Sequence, residues 1–230
     1  MHLLIPAAGL GSRMGSDRNK LLLTLQGKPI LAWTLLAAEK SLEITWIGII
    51  GQPYDWDSFQ EILGGLSLQK PVVIIPGGKT RQESVYKGLQ HLPEDADRVL
   101  IHDGARCLAT PELLDRCAVA LASCPGLIAA IPVKDTIKIV DDQGRVKDTP
   151  DRNYLWAAQT PQGFEVAALK RCHELGERGG WVVTDDAALF EKCGLPVQIV
   201  RGEETNLKVT TPEDLAIAEL VLGDRFSVTE

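Results

Sequence analysis

The chain has 230 residues, 45% of them apolar and 24% charged, with a net charge of −7. These values suit a single globular domain whose core needs no metal or disulfide support. The acidic balance argues against a general nucleic-acid or membrane-surface binder, although a small anionic ligand needs only a local basic cluster. Cys107, Cys117, Cys124, Cys172 and Cys193 are scattered, odd in number and free of any C-x-x-C pair, so neither zinc nor a disulfide framework is expected. Reduced thiols in a cytoplasmic setting are the simplest reading. The opening Met1-His2-Leu3-Leu4-Ile5 carries no export address, and no apolar run approaches the ~20 residues that span a bilayer.

In chain order, short apolar runs predict buried strands at Leu3–Ala7, Trp46–Ile50, Val72–Ile75, Val99–Ile101 and Leu127–Ile131. Helical patterns separate them. Pro29 suits a first helical turn, followed by Leu31, Leu35 and Ala38 at helix spacing. Arg81–Leu92 places Val85, Leu89 and Leu92 on one face. Pro111 opens a helix with Leu113, Leu114, Cys117 and Leu121 inward. This alternation predicts an α/β fold, doubly wound and Rossmann-like, with a mainly parallel sheet and right-handed crossovers.

The rhythm breaks after Pro132. Thr136–Val140 alternates polar and apolar residues, Asp141-Asp142-Gln143-Gly144 is turn chemistry, and Arg145–Thr149 follows, which together predict a β-hairpin. An isolated hairpin cannot bury its own apolar face. We read one domain over 1–230 with an inserted β-arm at about 134–154, and either a two-fold partner subunit or solvent covers that arm. The body resumes near Trp156, with helices at Glu165–Leu175, Asp185–Cys193 and Pro212–Leu222, a strand at Val197–Val200, and a loose tail from Gly223.

Six stretches carry chemistry-bearing residues. The loop Pro6–Gly15, running on to Lys20, follows the first strand, where an open parallel sheet binds ligands. Its glycines let backbone N–H groups approach phosphate oxygens, and Arg13 and Lys20 add cationic donors. Two better-known fingerprints fail here. A G-x-G-x-x-G motif needs glycine where Met14 stands, and a Walker loop ending at Gly78-Lys79-Thr80 needs one at Val73. The paired Gly77-Gly78 permit close approach of a flat ring, with Ser84 one turn into the next helix; ordinary capping explains the same pattern.

His102-Asp103-Gly104-Ala105-Arg106 sits at another strand end. Asp103 there suits Mg²⁺ or a ribose hydroxyl, and Arg106 a phosphate, with a structural Asp103–Arg106 ion pair as the alternative. His102 is expected to pack, since no nucleophile adjoins it. Lys134–Lys138 at the base of the arm is answered by Asp151-Arg152-Asn153. Thr184-Asp185-Asp186 is an N-cap signature, and Thr205–Thr210 includes Lys208. Gathered at one sheet edge, Arg13, Lys20, Arg106, Lys138, Arg152 and Lys208 form a local anion funnel suited to two phosphate-bearing ligands.

These stretches closely resemble the 2-C-methyl-D-erythritol 4-phosphate cytidylyltransferases, nucleotidyltransferases of isoprenoid-precursor synthesis. IPAAGLGSRMGSDRNK, PGGKTRQESV, VLIHDGAR, PVKDTIK, DRNYLWAAQTPQGF, VTDDA and TNLKVTTPEDLAIAE carry the likeness, from Ile5 to about Glu219. The first loop recurs across sugar-nucleotide transferases; the KDTIK, DRNYLWAAQTPQGF and TDDA combination is the specific part. The resemblance implies a doubly wound domain whose arm interlocks a homodimer. Ala7, Ala8, Gly9, Gly11, Arg13 and Lys20 would hold the nucleotide, Gly78 and Ser84 would flank the cytosine, and Asp103 would serve the ribose and Mg²⁺. Lys208 would reach the α-phosphate. Arg106, Thr136 and Thr184 would contact the polyol phosphate, with Arg152 supplied by the partner's arm.

Arg13, Lys20, Lys208 and Asp103 form the implied catalytic set. Two positions depart from the family pattern: Cys107 stands where a proline is common, and Lys79 where many members carry an acid, so Lys79 is left out of that set. The implied reaction joins CTP and 2-C-methyl-D-erythritol 4-phosphate, with Mg²⁺ as cofactor and neither nucleic acid nor membrane as partner. The same chemistry on ribitol 5-phosphate is the alternative.

Overall fold

A computed structural model describes residues 1–9 and 19–227, the side chains of 226 and 227 excepted. The elements are β1 (His2–Pro6), β2 (Thr24–Leu25), β3 (Lys28–Pro29), α1 (Ile30–Lys40), β4 (Trp46–Gly51), α2 (Trp56–Gly64), β5 (Val72–Pro76), α3 (Arg81–Gln90), β6 (Arg98–Ile101), α4 (Pro111–Ala120), β7 (Gly126–Pro132), β8 (Ile139–Val140), β9 (Val146–Asp148), β10 (Trp156–Glu165), α5 (Val166–Arg178), α6 (Asp186–Lys192), β11 (Gln198–Arg201) and α7 (Pro212–Ser227).

The main sheet has seven strands in the order β11-β7-β10-β6-β1-β4-β5. β1 pairs parallel with both β4 and β6, β4 with β5, and β7 with β11; only β10 runs antiparallel, between β6 and β7. Strand alternation sorts the core into two layers. Leu3, Ile5, Ile47, Ile49 and Leu100 face α1 and α4 on one side, while Leu4, Ile50, Val99 and Ile101 face α3, α5 and α6 on the other. Burial on both faces is why β1, β4 and β6 read as unbroken apolar runs.

Chain order decides where the site lies. From β1 the chain moves outward through β4 to β5, then returns by way of α3 to lay β6 on the opposite side of β1. This switch point opens a crevice beyond the carboxyl ends of β1, β4 and β6, where open α/β sheets take ligands. Those ends are laced together. Ala7 N–H donates to Ile50 O at 2.7 Å, Gly77 N–H to Gly51 O at 2.8 Å, and His102 N–H to Leu4 O at 2.9 Å.

The expected strands and helices are present within a few residues at their ends, with five differences. Pro29 is the residue before α1 rather than its first turn. The helix α2 and the long β10 were not expected from the pattern. β10 carries Gln159, Thr160, Pro161 and Gln162 at its centre, and Gln159, Thr160 and Gln162 bury polar side chains, so it lacks an apolar signature. The tail expected from Gly223 instead continues α7 to Ser227, and the Arg225 guanidinium donates to Leu108 O at 2.9 Å. The hairpin forms, but its strands are shorter than the alternation implied. β8 and β9 pair antiparallel around an Asp141–Gly144 turn, closed by Gly144 at φ 76°. Val146 is 60% exposed and Tyr154, at the arm's base, 84%.

Candidate active site

The crevice holds a cavity of about 380 Å³. It gathers eight of the residues singled out from the sequence: Ala7, Ala8, Gly9, Lys20, Gly78, Ser84, Asp103 and Lys208. These come from the exit of β1, the loop after β5, the start of α3, the exit of β6 and the segment between β11 and α7. Gly11 and Arg13 lie outside the described residues.

Asp103 is its electrostatic centre. Oδ2 meets Lys208 Nζ at 2.7 Å and Oδ1 meets Arg81 Nε at 3.5 Å. Burial alone would raise this carboxyl's pKa, but the Arg81 and Lys208 charges outweigh it and hold Asp103 well below the usual carboxylate range. Among the described residues it is the one carboxylate lining the cavity. Arg81 reaches on to the buried Asp186, with Nη1 at 2.8 Å from Oδ2. Burial works against the Arg81 charge, yet the two carboxylates more than offset it and raise its pKa. The Asp103–Arg106 pair considered from the sequence is thus replaced by Asp103–Lys208 and Asp103–Arg81.

Lys20 leaves a short 3-10 turn at Lys20–Leu22 and donates through Nζ to Val209 O at 2.8 Å. Val209 N–H in turn donates to Ala105 O at 2.9 Å, so the Lys208–Val209 segment is pinned to the turn after β6. Two ammonium groups, Lys20 and Lys208, therefore converge from opposite ends of the sequence.

The glycine pair packs against the chain leaving β1. A Cβ on Gly77 would stand 2.9 Å from that of Ala8, so a side chain there would collide with the first loop. Ser84 acts on this loop from within. Its hydroxyl donates to Thr80 O at 2.8 Å and accepts from Gly78 N–H at 2.9 Å, holding the glycines in place rather than reaching into open space. Gln52 Nε2 donates to Gly78 O at 2.9 Å, tying the loop after β4 to the same turn.

His102 is buried among acceptors and donors that fix it neutral. Nε2–H donates to Arg106 O at 3.2 Å, and Nδ1 takes the Thr160 hydroxyl at 3.1 Å, while that hydroxyl oxygen accepts Asp103 N–H at 3.0 Å. Burial lowers its pKa to about 4. It packs, as the sequence suggested, and through Thr160 it is also linked to the Asp103 backbone.

Four expected residues do not line this cavity. Arg106 is partly buried, its Nη1 donating to Asn206 O at 2.7 Å and its Nη2 to Ala158 O at 3.4 Å, while its buried Nε has no hydrogen-bond partner. Thr136 and Thr184 are exposed. Arg152, exposed at the arm's base, donates to Lys134 O of its own chain at 3.0 Å. Asp185 is the N-cap of α6, accepting Ala188 N–H at 2.9 Å, which accounts for the capping signature beside Thr184. Conversely, Gln52, Tyr54 and Arg81 line the cavity without having been singled out. Gln52 and Tyr54 follow the carboxyl end of β4, a position that strand order alone marks as a ligand edge. Arg81 carried no sequence signal beyond its place in PGGKTRQESV.

Comparison with known proteins agrees with this geometry. A family model described as 2-C-methyl-D-erythritol 4-phosphate cytidylyltransferase matches residues 1–224. A protein of that name from Crocosphaera subtropica is 70% identical, covering 99% of this chain and 100% of its own. One from Acaryochloris marina is 71% identical, covering 98% of this chain and 95% of its own. A crystal structure of 4-diphosphocytidyl-2C-methyl-D-erythritol synthase from Anaerococcus prevotii superposes with a TM-score of 0.87 at 33% identity, over 96% of this chain and 97% of that one.

The two buried histidines set an acid limit on stability. Burial lowers both His102 and His173 to about 4, the Arg81 charge adding to the effect at His173. The unfolded chain protonates them near 6.5 and the folded chain does not, so stability is full above pH 6.5 and declines as pH falls toward 4. Urea midpoints measured across that window should fall with acidification, and His102→Gln should flatten part of the decline. A midpoint independent of pH between 6.5 and 4 would contradict the buried neutral assignment.

Proposed function

The chain belongs to the 2-C-methyl-D-erythritol 4-phosphate cytidylyltransferase family, and from that premise we propose that it transfers CMP from CTP to the phosphate of 2-C-methyl-D-erythritol 4-phosphate, giving 4-diphosphocytidyl-2-C-methyl-D-erythritol and pyrophosphate. The observation that carries this reading is the meeting of Lys20, Lys208 and Asp103 in one glycine-edged cavity.

A phosphate monoester has a second pKa near ~6, so the acceptor is largely dianionic at neutral pH. Its oxygen forms a bond to the α-phosphorus while the bond from that phosphorus to the bridging oxygen breaks, and pyrophosphate leaves with the electron pair. No proton has to be removed, and the nearby His102 has both ring nitrogens engaged, Nε2 by Arg106 O and Nδ1 by the Thr160 hydroxyl. The barrier is repulsion between two polyanions. Lys20 and Lys208 offset it as negative charge spreads over the pentavalent centre and the leaving group. Arg13 completes this set in our reading.

Asp103 is the group that would hold Mg²⁺: it lines the cavity as a carboxylate kept ionised, with Oδ2 on Lys208 and Oδ1 beside Arg81. Magnesium is commonly held by one or two carboxylates with substrate phosphate oxygens and water. Among the described residues no cluster of three or more His, Cys, Asp or Glu side chains could hold a metal. When bound, the ion would neutralise phosphate charge and orient the leaving pyrophosphate.

The acceptor's side of the site is assigned to Arg106, Thr136 and Thr184. We place the homodimer contact on the arm, where Ile139, Val140 and Val146 are exposed apolar residues that a hairpin alone cannot cover. In that assembly Arg152 completes the partner's site. The cytosolic setting rests on five unpaired cysteines, and no described helix is long and apolar enough to cross a membrane.

Pyrophosphate release tests the reaction. With each of the four NTPs, and with methylerythritol phosphate, ribitol 5-phosphate or no acceptor, release should be fast only for CTP plus methylerythritol phosphate. Equal turnover with ribitol 5-phosphate, or release without any acceptor, would contradict it. For the shared site, Arg152→Ala and Lys208→Ala chains are each expected to be weak alone. Mixed heterodimers should regain activity by restoring one intact site, and proven heterodimers without recovery would refute the arm assignment.

A further inference from the structure

Asn19 lies directly before Lys20 and is almost wholly buried. Nδ2 donates to Ala7 O at 2.7 Å and to Asp55 Oδ2 at 2.9 Å, and Oδ1 accepts Leu21 N–H at 3.1 Å. Both amide hydrogens and the carbonyl are thus in use, and the reversed amide would set oxygen against oxygen and N–H against N–H, so only one orientation satisfies the site. The bond to Leu21 N–H caps the 3-10 turn on which Lys20 sits. Asp55 is buried as well, and its own N–H donates to Gln52 O at 2.9 Å. Asn19 therefore joins the segment leaving β1, the segment leaving β4 and the turn carrying Lys20, and each of these contributes to the cavity wall through Ala7, through Gln52 and Tyr54, or through Lys20 itself.

We propose that Asn19 and Asp55 form a positioning pair that fixes the backbone of Lys20, so that its ammonium meets the transferring phosphate from one direction. A lysine side chain is long and flexible, and a protein can restrict it mainly at its two ends. Val209 O takes the Nζ end, and the Asn19–Asp55 bond, with its cap on Leu21, holds the Cα end. Burial raises the stake: removing either partner leaves the other's polar atoms unmatched away from water. The pair itself stands behind the site and acts through Lys20. This inference rests on the reading of Lys20 as a charge-spreading cation.

The test uses the full chain with Asn19→Ala, Asp55→Ala, Asp55→Asn, Lys20→Ala and the Asn19→Ala/Lys20→Ala double variant, assayed well below each melting temperature. Misplacing a catalytic group by about 1 Å costs on the order of 10²-fold. Asn19→Ala and Asp55→Ala should accordingly lower kcat by about 10- to 100-fold, while the KM for CTP moves by less than about threefold, since the interaction is made in the transition state. Asp55→Asn keeps an oxygen to accept the Asn19 N–H and should recover most of the loss. In the Lys20→Ala background, Asn19→Ala should cost less than about threefold in kcat, because its effect passes through the missing ammonium.

A merely structural role would lower the melting temperature, leave the kcat of folded enzyme near normal, and add its full effect in the double variant. Either a near-normal kcat in Asn19→Ala with Lys20→Ala impaired, or full additivity, overturns the positioning role while leaving the catalytic reading of Lys20 intact. A normal kcat in Lys20→Ala overturns both. If Asn19→Ala fails to fold, Asn19→Ser, which keeps a capping oxygen, makes the same comparison.

Discussion

The contact between Asp103 and Lys208 organises this molecule. Asp103 lies just past the end of β6, Lys208 follows β11, and the two strands lie three places apart in the sheet. Their 2.7 Å ion pair brings the last third of the chain onto the crevice opened by the first half. Arg81, at the start of α3, takes the other carboxylate oxygen and extends the alternation of charge to Asp186 at the start of α6. A buried carboxylate without such partners would be strongly disfavoured as an ion. With them it remains charged, and the site presents a fixed anion flanked by fixed cations.

A polar scaffold behind this chain keeps it in register. Thr160 joins Asp103 N–H to His102, and Asn206 donates to Thr160 O and Gln159 Oε1. Gln159 in turn clamps Glu203, its Nε2 donating to Glu203 O and its Oε1 accepting Glu203 N–H. These contacts occupy the irregular centre of β10, where the register to β7 shifts between Ala158 and Gln162. The strand that looks least like a strand in sequence is the one whose polar side chains support the site. Catalysis through positioned charge needs such rigidity, because donors that must reorient during the reaction lose much of their advantage.

Much of this was legible in the residues. Apolar runs bounded by glycine and proline marked β1, β4, β5, β6 and β7, since parallel strands buried on both faces have little room for polar side chains. Their carboxyl ends then located Ala7, Gly78 and Asp103 without further information. β10 was not legible, because buried Gln159, Thr160 and Gln162 are satisfied only by partners distant in sequence. The role of Arg81 was equally hidden: its partners lie 22 residues away at Asp103 and farther still at Asp186, so no local pattern signals the pairing. Ser84 was found as a residue but for a different contact, since its hydroxyl holds Gly78 from inside the loop. Arg106, Thr136, Arg152 and Thr184 lie off the cavity, so the chain's own geometry does not join them to the other expected site residues.

The central claim is that fixed ammonium groups stabilise the transition state of phosphoryl transfer without a proton acceptor. Its most direct test is a single-turnover experiment with Lys208→Ala, measuring the chemical step and the CTP dissociation constant separately. Removing one such donor typically costs about 3–4 kcal/mol in the transition state, or roughly 10²–10³ in rate. The account predicts a loss of that size in the chemical step, with CTP affinity altered by less than about tenfold. An unchanged chemical step, with the whole defect in CTP binding, would contradict it.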